Sequence, residues 1–483
     1  MTPTVVPLAL LLASAAPAAW PGDRLPTLAP CVRLDRAGTE VRNDMRVCPG
    51  RYRIPASKGR AVLEVAVSGV RLDLSGVVIE SGDSVPERFS GAGVVSRGVD
   101  SLVVTGGTIR GYRFGVLIEG GRGHEVRGAN LSFSRHQALQ SSDSAYSERD
   151  WLDIFHADSA ESYGAGLLLK RVTGAIVVDV TAQRAQNGIM LHEVREAQLS
   201  DNDVSRNSGW GIALWRSSHN VIVRNKASHN VRCVGRTYRR GCDSAALLLR
   251  HRSDSNVVVA NDLRYSGDGF FLSGHRPGLD PSSGNLVTRN DATGAYHNAF
   301  EATFSWDNSF IENRADSADY GFWLGYSSGS SVRGNTILGS RTAGIAIEHG
   351  SDNELSGNVI IGGKDGIRLF TSSGSDAESR GYRIYDNLFA KLRRGLVLEN
   401  TSQLKVRGNV FDGNDDGLVS DKAASGAEVV GNIFLRSSGF FIRADELDAG
   451  GNYWGTATPE ATREKLAGRV LIAPWYSASA AGY

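Results

Sequence analysis

Several residue classes are scarce in this 483-residue chain, which has three methionines, four cysteines, 8% aromatic residues and a net formal charge of only +1. The balanced charge leaves no basic field for nucleic acid or an anionic membrane surface, so neither partner is expected. No segment after the N-terminus approaches the roughly 20 consecutive apolar residues of a membrane-spanning helix. Few methionines and aromatics, together with 57 glycines, are typical of a turn-rich β protein.

The first 19 residues, MTPTVVPLALLLASAAPAA, predict a cleaved secretory signal, although no Lys or Arg precedes the apolar stretch. Four cysteines fit export, because disulfides persist in oxidising compartments. Sequence proximity favours the pairs Cys31–Cys48 and Cys233–Cys242 among the three possible pairings. We therefore expect a secreted or periplasmic protein with two local disulfides.

The rest of the chain repeats a short element, Gly-aliphatic-x-aliphatic, at intervals of 22 or 23 residues, as at Gly166, Gly188 and Gly211. Short alternating strands bounded by asparagines, such as NVIVRN (220–225) and NVVVAN (256–261), follow these elements. A repeat of this length without a helical half predicts one coil of a parallel β-helix, with strands stacked about 4.8 Å apart. Leucine-rich repeats need a Leu-x-x-Leu-x-Leu series, which is absent. We expect the asparagines to stack at the corners, in left-handed backbone geometry, with a purely structural role.

The repeat therefore predicts an all-β protein, a single-stranded right-handed parallel β-helix of roughly fourteen coils with a cap at each end. The expected segments are the signal at 1–19, an N-terminal cap with a local disulfide at 20–60, the β-helix at 61–455 and a C-terminal capping helix and strand at 456–483.

The coil pattern N-x-[VI]-x-x-N with G-I-x-L resembles the secreted right-handed parallel β-helix proteins. This pectate-lyase-like superfold includes NosD-like periplasmic proteins and many sugar hydrolases. The segment GNYWGTATPEATREKLAGRVLIAPWY (451–476) is similar to their closing segment, in which a final coil precedes a short helix and a capping strand. The resemblance implies the fold, but the superfold hosts lyases, hydrolases, epimerases and binding proteins. The calcium-binding aspartate clusters of pectate lyases and the paired aspartates of polygalacturonases are not recognisable.

We expect functional residues at the outward positions of the repeat, which alternate with its two inward aliphatic residues. Small polar residues are usual there, whereas this chain places aromatic, acidic, basic and imidazole groups on successive coils. The expected catalytic residues are Glu301, Glu348, Asp268, His275, His349 and Tyr326, and the expected substrate-binding residues are Lys170, His192, Trp215, Arg250, Trp323 and Arg368. Insertions at 142–164, after Leu272 and after Leu369 are expected to wall a groove. The alternative is that such insertions bury part of this row as packing.

The leading hypothesis is a glycoside hydrolase. Trp215 and Trp323 offer flat apolar faces to sugar rings. Glu301 and Glu348 lie two coils apart, about 9.6 Å along the axis, which suits the acid/base pair of an inverting glycosidase. Asp268 is a substitute for either carboxylate. No cofactor is expected, and the expected partner of this monomer is a polysaccharide or oligosaccharide.

Two alternatives remain open. In a polysaccharide lyase or C5-epimerase acting on a uronate polymer, His275, His349 or Tyr326 removes a proton while Arg250 and Arg368 stabilise the developing charge. The other alternative is a non-catalytic glycan-binding or NosD-like accessory protein. A transition metal held by histidines and glutamates belongs to this reading, but no ligand pair with zinc-site spacing supports it, so no metal site is predicted.

Overall fold

The computed structural model consists almost entirely of short parallel β-strands wound into a solenoid. It describes residues 30–56, 60–142, 145, 147–156, 162–233, 241–275, 280–372, 379–421 and 426–481. The predicted signal segment lies outside the described residues. The prediction of an all-β parallel β-helix is confirmed.

The strands form a main sheet of 21 strands, a second sheet of 15, and small sheets of three and two strands. The main sheet contains Thr39–Val41, Ala61–Val65, Ala92–Arg97, Phe114–Glu119, Ala165–Lys170, Asn187–His192, Trp210–Trp215, Ala245–Arg250, Asp268–Ser273, Asn298–Thr303, Tyr320–Trp323, Thr336–Glu348, Val359–Phe370, Leu388–Glu399, Val410–Asp412, Asp416–Ser420, Ile433–Leu435, Ile442–Asp448, Tyr453–Trp454, Leu466–Leu471 and Tyr476–Ser477. The second sheet contains Met45–Arg46, Arg71–Asp73, Val103–Thr105, Glu125–Arg127, Ile176–Val178, Gln198–Ser200, Val221–Val223, Val257–Val259, Leu286–Thr288, Ser309–Ile311, Ser331–Arg333, Glu354–Ser356, Arg383–Tyr385, Lys405–Arg407 and Glu428–Val430. The small sheets contain Gly50–Arg53, Val77–Glu80 and Thr108–Arg110, and Ser379–Arg380 and Thr401–Ser402. The helical elements are the α-helix Pro459–Arg463 and the 3-10 turns Pro86–Arg88, Glu148–Asp150, Gly241–Asp243 and Ala478–Ala481.

The inward aliphatic positions stack from coil to coil into one continuous core. Leu167 pairs with Ile189, and Ile189 pairs with Ile212. All three side chains are fully buried, which stabilises the fold by about 1.5–3 kcal/mol for each of them. Further along the axis the same positions carry aromatic rings, and Phe300 stacks on Phe322 with their centroids 4.9 Å apart.

The repeated glycine is required by the close approach of neighbouring coils. A Cβ atom on Gly188 would lie 2.5 Å from the carbonyl oxygen of Gly211. A Cβ atom on Gly344 would lie 2.7 Å from the carbonyl oxygen of Gly366. Because backbone atoms are in the way, a side chain at this position would push the coils apart.

The asparagines form a buried ladder inside the solenoid. Asn225 Nδ2 donates to Asn261 Oδ1 at 3.0 Å, and Asn261 Nδ2 donates to Asn290 Oδ1 at 2.9 Å. Their predicted structural role is confirmed, but their expected left-handed backbone is wrong. That conformation belongs to the residue before the asparagine, such as Arg224 and Ala260, both with φ of 54°.

A second apolar cluster lies outside the solenoid, on the outer face of the main sheet. The described part of the insertion at 142–164 covers this cluster and contributes Leu152, Ile154 and Tyr163 to it. Beneath this cover, the rings of Trp210 and Trp215 pack edge to face at 4.9 Å and are fully buried. This part of the outer face is therefore packed against protein and is not an open groove.

Both predicted disulfides, Cys31–Cys48 and Cys233–Cys242, are formed. The closing segment folds into the expected short helix, Pro459–Arg463, followed by the strand Leu466–Leu471. Thr458 caps this helix, because its side-chain oxygen accepts a hydrogen bond from the Ala461 amide at 3.2 Å.

Candidate functional site

Three of the expected substrate-binding residues are buried beneath the insertion. Trp215, Arg250 and His192 are 0%, 1% and 3% exposed. The Arg250 Nε donates to the Ile154 carbonyl at 2.8 Å, and its Nη1 donates to Ser273 Oγ at 2.6 Å. Sugar stacking by Trp215 and substrate binding by Arg250 and His192 are incompatible with this burial, so these three predictions are corrected. The insertion that folds over them is not part of the repeat, so the repeat pattern does not predict their burial.

The candidate base His275 follows the end of the strand Asp268–Ser273, at the opposite end from Asp268. A six-residue strand separates its ends by about 17 Å, so His275 does not share a site with Asp268. Its ring instead stacks on His251 at 5.8 Å and meets the edge of Phe155 at 6.2 Å. Burial, with a further contribution from Arg250, lowers the pKa of His251 to about 4.

Within the described residues, one group of His, Asp and Glu side chains has its ligand atoms close enough to hold a metal ion, and it lies near the start of two adjacent main-sheet strands. One ligand atom from each of Asp268, His297 and Glu301 lies within 4.8 Å of the others, and we call these three residues the carboxyl cluster. His297 Nδ1 is 3.4 Å from Asp268 Oδ1. The Asp268 side chain is 2% exposed, whereas His297 and Glu301 are half-buried and form the more open side of the cluster.

Hydrogen bonds from the strand Asn298–Thr303 fix the carboxyl cluster in place. The Asn298 amide donates to Asp268 Oδ1 at 2.8 Å. The Glu301 carboxyl accepts from Asn298 Nδ2 at 2.5 Å and from Thr303 Oγ1 at 2.9 Å. The Oδ1 atom of Asn298 is itself buried without a hydrogen-bond partner.

The electrostatics of the cluster favour a shared proton. Burial, reinforced by the neighbouring Asp268 carboxylate, raises the pKa of Glu301 to about 7. A third carboxyl group, Asp243, has its pKa raised to about 8 by burial and by the charges of Asp268 and Glu301. Carboxyl groups that stay protonated near neutral pH are suited to general acid catalysis.

An aromatic surface adjoins the carboxyl cluster on the next coil. Glu301 pairs with Trp323, and Asn298 pairs with Tyr320, in the register of the main sheet. The two rings meet edge to face with their centroids 4.9 Å apart, and both are half-buried. The backbone of Trp323 therefore lies one strand spacing, about 4.8 Å, from the backbone of Glu301.

Glu348, His349 and Tyr326 form a separate group at the corner where the main-sheet strands end. Tyr326 stacks on His349 at 4.6 Å, and His349 Nδ1 is 3.7 Å from Glu348 Oε1. The Glu348 carboxylate also accepts a short hydrogen bond from Ser372 Oγ. This group is held together by its own contacts rather than by contacts with the carboxyl cluster.

The register corrects the predicted Glu301–Glu348 pair. Trp323, the partner of Glu301, pairs with Ala346, so the residue two coils from Glu301 is Ala346. Glu348 lies two positions further along its strand, which places its Cα about 12 Å from that of Glu301. Glu348 points outward at a different row of the sheet, and Asp268 is the nearer carboxyl partner of Glu301.

The two remaining predicted cations are engaged with carboxylates. Lys170 Nζ is 3.7 Å from Glu119 Oε1. Arg368 donates from Nε and Nη2 to Glu399 Oε2 at 3.0 and 2.7 Å, and its guanidinium lies 4.5 Å from the centroid of the Phe370 ring. Neither residue touches the carboxyl cluster, so the structure does not bring the predicted site together as one groove.

Sequence reasoning missed His297 and Asp243. The position before the main-sheet strand holds Gly209, Ser244 and Gly267 on the preceding coils. A histidine at a position where sister coils carry glycine or serine is the signal that points to His297. Asp243 lies in the non-repetitive turn Gly241–Asp243, where no periodic signal exists.

The described part of the chain contains no helix long and apolar enough to cross a membrane.

The fold and its neighbours define the class of protein: a right-handed parallel β-helix. Among solved structures, the chain is similar to the A-module of the Azotobacter vinelandii mannuronan C-5 epimerase AlgE4, at 15% identity and a TM-score of 0.52, over 69% of this chain and 91% of that one. It is also similar to the A-module of the epimerase AlgE6 of the same organism, at 13% identity and a TM-score of 0.50, over 74% of this chain and 87% of that one. At these identities the likeness shows the fold alone.

The particular family follows from the sequence comparison. The model of the NosD family, described as periplasmic copper-binding protein (NosD), matches residues 75–264 and 250–469. The chain belongs to the NosD family. Among curated proteins, no sequence matches this chain.

The carboxyl cluster fits the copper of the family description only in part. One imidazole and two carboxylates suit Cu(II), whereas Cu(I) prefers thiolate or thioether ligands. All four cysteines are in disulfides. The cluster therefore fits a divalent cation and not Cu(I).

Proposed function

We propose that the protein is a polysaccharide-cleaving glycoside hydrolase whose reacting groups are Glu301 and Asp268. The observation that carries this proposal is the close pair of carboxyl groups, within 4.8 Å, in which Glu301 is protonated up to a pH of about 7. A protonated carboxyl group beside a second carboxyl group is the arrangement that glycoside hydrolysis needs.

In the reaction, the Glu301 carboxyl donates its proton to the glycosidic oxygen as the carbon–oxygen bond breaks. Asp268, whose side chain is 2% exposed and must be uncovered by movement of the half-buried His297 and Glu301 side chains, attacks the anomeric carbon and forms a glycosyl ester. Water then displaces Asp268, and Glu301 takes back a proton from that water. Retaining enzymes have carboxyl groups about 5–5.5 Å apart and inverting enzymes about 6.5–9.5 Å, so the short separation favours the retaining route.

Charge favours a neutral sugar over a uronate at the cleavage point. The negative charge of Asp268, which raises the pKa values of both Glu301 and Asp243, would repel the carboxylate of a uronate. Arg250 is buried and already hydrogen-bonded, and Arg368 lies three coils from Glu301 in the sheet register. Elimination or epimerisation needs a cation beside the reacting uronate, and neither arginine supplies one here.

Substrate positioning falls to Trp323 and Tyr320. Their half-buried rings lie on the coil next to the cluster and present an apolar surface suited to a sugar ring. We also propose export to the periplasm or beyond, supported by the two disulfides and by the periplasmic location in the family's description.

The experiment is incubation of the purified protein with a panel of neutral and acidic polysaccharides, followed by mass analysis of the products. Hydrolysis gives products with water added, and elimination gives unsaturated products without it. Glu301→Gln and Asp268→Asn should each abolish product formation, whereas Glu446→Gln, at an exposed ion pair, should not. Glycan binding without any product would identify a binding protein instead.

A second candidate function, binding of a divalent metal ion, is favoured by the geometry of Asp268, His297 and Glu301 and by the family's description. Calorimetry with Cu(II) and Zn(II) on the wild type and His297→Ala tests it. Stoichiometric binding that is lost in the variant would support a metal site. Binding that survives the substitution would place the metal elsewhere.

A further inference from the structure

The turn that precedes the main-sheet strands carries an unusual row of exposed residues. On five successive coils the outward residue of this turn is Phe133, Arg184, Arg206, His229 or Tyr265, and we call this row the corner strip. Three positions before each member, β-bridges join Asn130 to Thr181, Thr181 to Asp203, Asp203 to Lys226 and Lys226 to Asp262. The five residues are therefore stacked at strand spacing and span about 19 Å along the axis.

The backbone of the corner strip has the left-handed conformation that favours glycine. The five φ angles lie between 52° and 63°. The same position on later coils holds Gly294, Gly339 and Gly413. Because the fold accepts glycine there, the bulky side chains of the strip stand in a backbone conformation that disfavours them, and such positions are enriched at ligand sites.

The side chains of the corner strip face solvent. Phe133 and Tyr265 are 46% and 44% exposed. The Arg184 guanidinium lies 5.4 Å from the centroid of the Phe133 ring. Within the described residues, neither Arg184 nor Arg206 forms an ion pair with a carboxylate. The strip thus offers unpaired guanidinium groups between two exposed aromatic rings.

One end of the corner strip opens into a cavity of about 380 Å³. Phe133 and Arg184 line this cavity together with Arg53, Arg110 and His136. Glu80 and Asp83 line the same cavity, and Glu80 pairs with Arg110. Three arginines therefore face two carboxylates, and the lining continues the strip with one net positive charge.

We propose that the corner strip binds an acidic polysaccharide along the axis of the β-helix. Guanidinium groups bind carboxylates or sulfates through paired hydrogen bonds, and exposed aromatic rings stack on apolar faces of sugars. The net charge of +1 gives no general attraction to nucleic acid. The polyanion that fits is therefore one whose sugar rings stack on the aromatic side chains of the strip at a fixed spacing. This binding does not rest on the proposed hydrolysis, because it requires none of the carboxyl-cluster residues.

The test measures the affinity of the full-length protein for polygalacturonate and for uncharged dextran by calorimetry. The double variant Arg184→Asn/Arg206→Asn and the variant Tyr265→Asn should each bind polygalacturonate at least about tenfold more weakly. Their melting temperatures should stay equal or rise, because asparagine tolerates left-handed backbone better than arginine or tyrosine. Lys391→Asn is the matched control, a cation at the same left-handed turn of a distant coil, and should bind like the wild type.

Three results would overturn the proposal: no binding of polygalacturonate by the wild type, undiminished binding by the variants, or a fall in their melting temperature that accounts for the loss. Equal affinity for single-stranded DNA would show a non-specific polyanion surface and would also overturn it. Binding of polygalacturonate without cleavage of any polysaccharide would fail the hydrolase proposal alone, and cleavage without binding of polygalacturonate would fail this one alone, so the two are separable.

Discussion

Glu301 is a carboxyl group whose surroundings hold it in the protonated form close to neutral pH. Its pKa is about 7 in the folded protein, against an ordinary value of 4.5. Between pH 4.5 and about pH 7, the folded state keeps a proton on Glu301 that the unfolded chain has released. This contribution to stability is therefore fully present below pH 4.5 and is lost as the pH rises towards 7.

The variant Glu301→Gln should remove this pH dependence. The free energy of unfolding of the wild type, measured with denaturant at several pH values, should fall relative to that of the variant between pH 4.5 and 7. Glu312→Gln, which alters an exposed glutamate paired with Arg289, serves as the control and should track the wild type. Parallel curves for wild type and Glu301→Gln would contradict the assigned protonation.

The stability contribution of His251 has the opposite pH dependence to that of Glu301. Burial lowers its pKa to about 4 from an ordinary 6.5, so the unfolded chain takes up a proton that the folded state refuses. Its contribution to stability is complete above pH 6.5 and is lost as the pH falls towards 4. The variant His251→Asn should unfold with a smaller loss of stability on acidification. His219→Asn, an exposed histidine in the same left-handed backbone conformation, should not change the slope.

At the scale of the structural elements, the asparagine ladder ties each coil to the next. Asn261 accepts from the Asn225 amide and donates to the Ile222 carbonyl and to Asn290. The variant Asn261→Ala leaves these buried groups without partners and should lower the free energy of unfolding by about 2 kcal/mol. Asn43→Ala, at an exposed position, should change it by less than about 0.5 kcal/mol.

The insertion over the main sheet gives two tryptophans different roles. Trp215 is fully buried beneath it, so Trp215→Ala should lower the free energy of unfolding by about 3–5 kcal/mol. Trp323 is half-buried beside the carboxyl cluster, and Trp323→Ala should cost less stability while weakening glycan binding. Denaturant unfolding of both variants checks this order. Equal and small losses would mean that the insertion does not cover Trp215.

For the whole molecule, the coil was predictable because its causes are local and repeat: glycine where coils touch, aliphatics inside and asparagine in the ladder. The site was less predictable, because it depends on departures from the repeat. The insertion that buries Trp215 and Arg250 has no period. Glu301 and Glu348 occupy different rows of the sheet, which only the register reveals.

The most direct test of the account compares Glu301→Gln with Glu348→Gln on the polysaccharide that the wild type cleaves. Loss of a general acid reduces the rate by about 10²–10⁴-fold, so we expect kcat of Glu301→Gln to fall by that factor. Glu348→Gln, which removes a carboxylate of the separate corner group, should retain kcat within about tenfold. The opposite order, or equal activity of both variants and the wild type, would contradict the assignment of Glu301 as the acid.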